Sequence, residues 1–208
     1  MIAKRLGVYG GTFSPPHKGH MQMGKAFIES GIIDKLLIMP TFLPPHKFVN
    51  DEVTPDNRID MLNIAFDDLI KAYGDRIIIC DYEIKKGDVS YTVNTVKHFI
   101  NECEELIIFC GSDMLMTVDR WYHADELLSM CSIAYNSRLS GQSDSDELKK
   151  KAEYINNTHG TRIYNLSVDT TEVSSSKLRE MIAMGDDTDV YLDEKVRAYI
   201  DEHDLYRA

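Results

Sequence analysis

Short runs of Ile, Leu and Val punctuate the chain at Leu6–Tyr9, Lys35–Met39, Arg76–Cys80, Glu105–Cys110, Cys131–Tyr135 and Arg162–Tyr164. Their apolar residues are consecutive rather than alternate, which predicts strands covered on both faces. Between them apolar residues fall at helical spacing, as in Met21, Met23, Phe27 and Ile28. The segments Arg58–Tyr73, Tyr91–Cys103 and Ser143–Asn157 are long enough to cross back over a sheet. Strand and helix alternate, so the expected fold class is α/β, with a doubly wound, mostly parallel sheet and helices on both faces. In such a sheet ligands bind beyond the C-terminal ends of the strands, where the strand order reverses. Segments that follow strands therefore carry the most functional weight.

After Val173 the pattern turns to helix alone, Ser174–Gly185 and then Val190–His203 with Val190, Val196, Tyr199 and Ile200 as its apolar positions. The chain reads as a single Rossmann-like domain, 1–208, in which residues 174–208 form a small C-terminal helical cap. Polar stretches at Ser137–Asp146 and Asn156–Thr161 read as surface loops, and the prolines of Pro40–Pro45 exclude a central strand or a helix interior, leaving a rigid loop after the second strand.

Composition narrows the partners. With 43% hydrophobic and 27% charged residues the chain matches an ordinary globular protein with a sizeable core. Its 23 Lys and Arg against 34 Asp and Glu leave a net charge of −11, which disfavours broad attraction to nucleic acid or anionic lipid. An anionic small ligand needs a local positive site. Cys80, Cys103, Cys110 and Cys131 show no C-x-x-C pairing, and no apolar stretch resembles a signal peptide or a membrane span. A reduced, cytoplasmic protein is the expectation, with self-association into a homo-oligomer left open.

The first such segment is Gly10-Gly11-Thr12-Phe13-Ser14-Pro15-Pro16-His17-Lys18-Gly19-His20, between the first strand and the first helix. Glycines let a backbone approach a ligand closely, and unpaired N–H groups at a helix start attract phosphate. His17 and His20, three apart, share one face in the first turn, where an imidazole can donate to an anion. Two other readings are a metal pair, for which no neighbouring Cys, Asp or Glu completes a ligand set, and a glycine-rich turn with incidental histidines. Neither the P-loop nor the G-x-G-x-x-G pattern is present. Near the other end stands Val173-Ser174-Ser175-Ser176-Lys177-Leu178-Arg179, a serine-rich helix start followed by an arginine one turn on. Hydroxyls, N–H groups and a guanidinium there can hold phosphate oxygens, though the same string also makes an ordinary capped helix.

The H-x-G-H string together with the S-S-S-K-L-R string resembles the adenylyl- and cytidylyltransferase superfamily of nucleotidyltransferases, whose second signature is I-S-S-T-x-I-R. Three further stretches resemble bacterial nicotinate-nucleotide adenylyltransferases: Pro40-Thr41-Phe42-Leu43-Pro44-Pro45-His46-Lys47, Ser90-Tyr91-Thr92-Val93-Asn94-Thr95, and Gly111-Ser112-Asp113 with Trp121 eight residues later. The resemblance implies adenylyl transfer from ATP to nicotinate mononucleotide, with Mg²⁺ carried on the ATP phosphates and no metal held by protein side chains. It implies His17, His20 and Arg179 as catalytic groups. ATP contacts would come from Gly10, Gly11, Thr12, Phe13, Gly111, Asp113, Ser174, Ser175 and Ser176 as well. Lys47, Thr92, Trp121 and the backbone near Tyr122 would take the mononucleotide. Taken by themselves, Lys47 is a solvated loop lysine, Ser90–Thr92 a helix N-cap and Trp121 a core residue. Two departures from the family pattern stand out: Ser14 where Asp is common, and Asn136–Gly141 in place of R-P-G, which leaves the role of Arg138 open. Pantetheine-phosphate adenylyltransferase, a cytidylyltransferase and a non-catalytic nucleotide sensor share the two phosphate signatures and remain alternatives, with a nucleic-acid-binding module a distant further one.

Overall fold

The computed structural model describes residues 3–45, 53–137 and 142–207. Six strands, β1 (Ala3–Gly11), β2 (Lys35–Pro40), β3 (Ile77–Ile79), β4 (Cys103–Gly111), β5 (Ser132–Asn136) and β6 (Ile163–Asn165), form one sheet in the order β3-β2-β1-β4-β5-β6. Every pairing is parallel. The chain thus starts at the centre, winds outward to β3, and returns to lay β4 on the other side of β1. The order reverses between β1 and β4, so the crevice above their C-terminal ends is where this topology offers a ligand site.

The helices are α1 (Lys18–Glu29), α2 (Pro55–Tyr73), α3 (Tyr82–Lys86), α4 (Thr92–Phe99), α5 (Ser112–Leu115), α6 (Ala124–Met130), α7 (Gln142–His159), α8 (Ser175–Met184) and α9 (Glu194–Glu202). Strand pleating sends alternate residues to opposite faces, and both faces are apolar. In β2, Leu36 and Ile38 join Phe27 of α1, Phe66 of α2, Leu178 of α8 and Ile200 of α9, while Leu37 and Met39 join Val96 of α4, Leu127 of α6 and Ile155 of α7. Phe27 and Phe66 are wholly buried, which contributes roughly 2–3 kcal/mol each. The consecutive apolar residues of the strands have this two-sided burial as their cause.

Local chemistry sets the boundaries. Thr54 caps α2 by accepting from Asn57 N, Asn57 Oδ1 accepts in return from Thr54 N, and Pro55 fills the first helical position. Several sequence expectations need correction. The helix expected over Tyr91–Cys103 ends at Phe99, because Cys103 is drawn into register opposite Ala3 at the start of β4. The expected loops Ser137–Asp146 and Asn156–Thr161 are both invaded by α7, which runs to His159 and stops at Gly160, a residue with φ of +70°. Val190 is exposed ahead of α9, which starts only after the Asp193 cap, where the side chain accepts from Lys195 N. The short helices α3 and α6 fall in segments whose sequence carried no helical reading.

Candidate active site

Gly10 and Gly11 end β1, and Gly111 ends β4, on the two sides of the switch point. A Cβ built on Gly10 would meet no atom within 4 Å, so nothing in the chain requires glycine there. The space lies over the strand end, where a ligand's backbone contacts would fall. Thr12 continues the chain, and Phe13 turns it with φ of +50°. The Phe13 ring is 1% exposed and packs edge-on against Tyr9 and His20, so only its backbone can face a ligand.

His17 is the N-cap of α1 and forms a reciprocal cap with His20. His20 N donates to His17 Nδ1 at 3.3 Å, and His17 N donates to His20 Nδ1 at 3.2 Å. The rings stack with centroids 3.6 Å apart. A neutral ring whose Nδ1 accepts carries its proton on Nε2, so the cap fixes both imidazoles as Nε2–H donors and takes their Nδ1 atoms away from metal ligation. His17 is 6% exposed, and burial pushes its pKa down to about 4. The ring is therefore neutral near pH 7, and an arriving anion meets donors without a standing charge in the core.

That shift has a pH consequence. Between about 6.5, the ordinary imidazole value, and about 4, the unfolded chain binds a proton that folded His17 does not. The resulting stability is fully present above pH 6.5 and is lost as pH falls through that window. Urea midpoints measured from pH 7 to pH 4 should fall, and His17→Asn, which keeps a capping side chain without a ring that titrates, should flatten the decline. An unchanged slope in His17→Asn would assign the acid sensitivity to other groups.

The far end of the sequence closes on this loop. Ser174 caps α8 by accepting from Lys177 N at 3.1 Å. Ser175 Oγ donates to Pro15 O at 3.0 Å, and Arg179 donates through Nη1 to Ser14 O at 2.8 Å and through Nη2 to Ser176 Oγ at 3.1 Å. The serine-rich helix start and the guanidinium thus sit directly against Ser14–Pro15. Asn136, at the end of β5, steadies the segment leading there: it donates to Val168 O at 2.8 Å and accepts from Val168 N at 2.7 Å. Gly19 explains the small residue between the histidines, since a Cβ there would stand 2.9 Å from Thr171 O and 3.1 Å from the His17 ring. Gly19→Ala should cost about 1–3 kcal/mol in urea unfolding, the usual range for overpacking, and should depress any activity that needs the two termini together. A fully stable, fully active Gly19→Ala protein would show that this approach is not needed.

Two buried groups escaped the sequence reading. Arg58 is wholly buried and donates through Nη1 to Thr12 O at 3.1 Å and Thr41 O at 2.5 Å, pinning the loop after β1 to the loop after β2. Its Nε and Nη2 have no partner among the described residues. The signal for it was its place on the stripe formed with Met61, Leu62, Ala65 and Phe66, an arginine at a core position. Glu83 is the other: burial raises its pKa, and its carboxyl accepts from Thr95 Oγ1 at 2.5 Å, bracing α4 from below. No motif pointed to it.

A second cluster of the expected site residues adjoins the first. Thr41 N donates to Gly11 O at 2.9 Å, Phe42 N to Ser90 Oγ at 2.9 Å, and Ser90 N to Leu43 O at 2.8 Å, so Pro40–Pro45 bridges the end of β1 to Ser90–Thr92. The expected N-cap role of Ser90–Thr92 needs correction. Tyr91 caps α4 without a side-chain hydrogen bond, because Ser90 is spent on Phe42 and Thr92 is already helical. Tyr91 stacks on Tyr122 at 4.2 Å, which brings Thr92 and Trp121–Tyr122 to one wall. Trp121 is half-buried against the core beneath α4 and α6, and Tyr122 is exposed. Asp113 stands exposed on α5, its Oδ1 2.7 Å from where a Gly111 Cβ would lie, so the carboxylate folds back over the end of β4. Lys47 and Arg138 lie outside the described residues. A cleft of about 720 Å³ opens at the opposite ends of the strands, lined by Lys4, Glu105 and Arg162 among others, but Glu105 is already engaged by Ser132, Tyr164 and Arg162.

A parallel sheet in this order, with a histidine-capped helix and a serine–arginine helix start meeting at its switch point, defines a nucleotide-binding protein of the nucleotidyltransferase type. The chain belongs to the cytidylyltransferase-like family, whose model matches residues 8–181. Within it, the chain groups with the nicotinate-nucleotide adenylyltransferases. A relative from Clostridium botulinum named "Probable nicotinate-nucleotide adenylyltransferase" is 32% identical, over 98% of this chain and 98% of its own. A relative of the same name from Clostridium novyi is 32% identical, over 98% of this chain and 100% of its own. The Plasmodium falciparum nicotinic acid mononucleotide adenylyltransferase, solved in complex with APC, superposes with a TM-score of 0.75 over 98% of this chain and 97% of its own. At 17% identity that likeness concerns the fold. Among the described residues no helix is long and apolar enough to cross a membrane.

Proposed function

We propose that this chain transfers the adenylyl group of MgATP to nicotinate mononucleotide, forming nicotinate adenine dinucleotide and pyrophosphate in NAD biosynthesis. The observation that carries the reading is the junction of Ser175 and Arg179 with Ser14–Pro15, one turn from the paired imidazoles. Donor-bearing residues from both ends of the chain are joined through one loop, and such a donor set suits phosphate oxygens rather than a cation. Mg²⁺ arrives with the phosphates as part of the substrate, since it keeps most of its waters and binds through them.

In the reaction a phosphate oxygen of the mononucleotide attacks the α-phosphorus in line. The new P–O bond forms as the bond from the α-phosphorus to the bridging oxygen breaks, and pyrophosphate leaves with the electron pair. The nucleophile is already anionic near neutral pH, so no strong general base is needed. The protein's part is to hold two anions together and to stabilise charge as it develops. His17, His20, Arg179, the N–H groups of Thr12 and Phe13 and the serines of α8 serve the triphosphate, with Gly111 and Asp113 serving the ribose. Trp121 stacks on the pyridine ring, Thr92 and the backbone near Tyr122 meet its carboxylate, and Lys47 adds charge near the mononucleotide phosphate. N–H donors facing a carboxylate disfavour an amide, which brings donors of its own. The cytoplasm, where the free cysteines stay reduced, is the compartment this reading assigns.

The test is pyrophosphate release by purified protein with ATP or CTP against nicotinate mononucleotide, nicotinamide mononucleotide and phosphopantetheine. ATP with nicotinate mononucleotide should dominate, by at least about tenfold over the amide. Dominance of phosphopantetheine or CTP, or no release with any pair, would overturn the assignment.

A further inference from the structure

The C-terminal tail reaches the same loop by a route the function does not account for. After α9 the chain reverses through Asp204 and Tyr206, non-glycine residues with φ of +50° and +61°. Left-handed backbone at such residues costs energy and persists only where the surroundings hold it. Here it turns Leu205 and Tyr206 inward, 6% and 4% exposed. The Tyr206 hydroxyl ends 2.9 Å from Ser14 Oγ, itself buried. Burial pushes the phenol up to about 12, opposed by Ser14 and by the nearby guanidiniums of Arg179 and Arg58, so the hydroxyl stays protonated at any physiological pH. Ser14 is also the residue whose carbonyl accepts from Arg179, and its neighbour Pro15 accepts from Ser175. On the other flank, Tyr191 O accepts from Lys18 N at 2.8 Å. The loop is thus gripped from α8, from the segment before α9 and from the tail, and Tyr206 is the grip that acts on the Ser14 side chain.

We propose that Tyr206 is a positioning residue for the triphosphate subsite: through Ser14 its hydroxyl sets the peptide on which Arg179 and Ser175 are seated. The inference rests on the reading of that subsite given above. A tyrosine that merely filled the core would owe its effect to the ring, which phenylalanine keeps. A tyrosine that positions the loop owes it to the hydroxyl and to Ser14 jointly.

MgATP affinity should be measured by calorimetry for the unaltered chain, Tyr206→Phe, Ser14→Ala and the double variant, with KM for nicotinate mononucleotide alongside. Each single change should weaken MgATP binding about 5- to 10-fold, the worth of one buried hydrogen bond. The double variant should be no weaker than the worse single one, because both changes break the same contact. The mononucleotide KM should stay within about twofold. MgATP affinity in Tyr206→Phe within twofold of the unaltered chain, losses that multiply in the double variant, or a parallel rise in mononucleotide KM would each overturn the inference. An unaltered chain that binds MgATP yet releases no pyrophosphate with nicotinate mononucleotide would overturn the proposed function, while the affinities would still decide the role of Tyr206.

Discussion

Replacing His20 with alanine is expected to lower turnover about 10²-fold, the usual effect of losing one donor aimed at transition-state charge. The donor is Nε2–H, because Nδ1 accepts from the His17 backbone and so fixes the tautomer. The same bond allows the chemical and structural costs to be separated. Removing the ring also removes one capping contact, worth about 0.5–2 kcal/mol, against a total stability of about 5–15 kcal/mol for a typical domain. His20→Ala should therefore unfold in urea as a single cooperative transition at a modestly lower midpoint. His20→Asn, whose side chain can still accept in the first turn but is shorter than a histidine, should recover much of the stability and little of the rate. Near-normal turnover in a folded His20→Ala protein would remove the imidazole from the chemistry. A collapse of stability matching the loss of rate would make it a structural cap.

Truncating Trp121 to alanine is expected to raise the mononucleotide KM by about tenfold or more, consistent with the roughly 1–3 kcal/mol of a ring-on-aromatic stack, with the ATP KM within about twofold. Thr92→Ala should act in the same direction and less strongly. The prediction draws on how the two subsites are joined. Trp121 and Tyr122 meet the start of α4 through the Tyr91–Tyr122 stack, whereas Arg179 is seated on Ser14, in the loop that runs into the histidine cap of α1. The joint between them is Thr41, which donates to Gly11 and accepts from Arg58. A change at Trp121 should stay on its own side of that joint. Because Trp121 is half-buried against the core beneath α4, the variant needs a urea curve beside the kinetics. Equal rises in both KM values would mean the whole crevice had shifted.

The sheet was legible because its strands carry apolar residues on both faces and its crossing segments carry helical spacing. All six apolar runs became strands, displaced by up to three residues at their ends. What the sequence concealed was set by contacts between distant segments. Phe99 ends its helix because Cys103 must pair with Ala3, and Val190 stays outside α9 because the Asp193 cap lies beyond it. The two phosphate signatures were legible as strings, with glycines, histidines and serines in places where backbone N–H groups collect. Their meeting at Ser14–Pro15 was not, since nothing in either string specifies a contact across most of the chain. Arg58 showed itself only as an arginine on an apolar stripe, and Tyr206 only as the last aromatic of a polar tail. Their hydrogen bonds to Thr12, Thr41 and Ser14 exist because the β1–β4 crevice, α2 and the C-terminal helices close around one loop.

A crystal structure of the protein with a non-cleavable ATP analogue, Mg²⁺ and nicotinate mononucleotide would test the central claim most directly. The triphosphate should lie within hydrogen-bond reach of His20 Nε2, Arg179 and the first turn of α8 at once, with the pyridine ring on Trp121 and its phosphate facing the α-phosphorus. A triphosphate held elsewhere, or imidazoles and guanidinium contacting separate ligands, would contradict it.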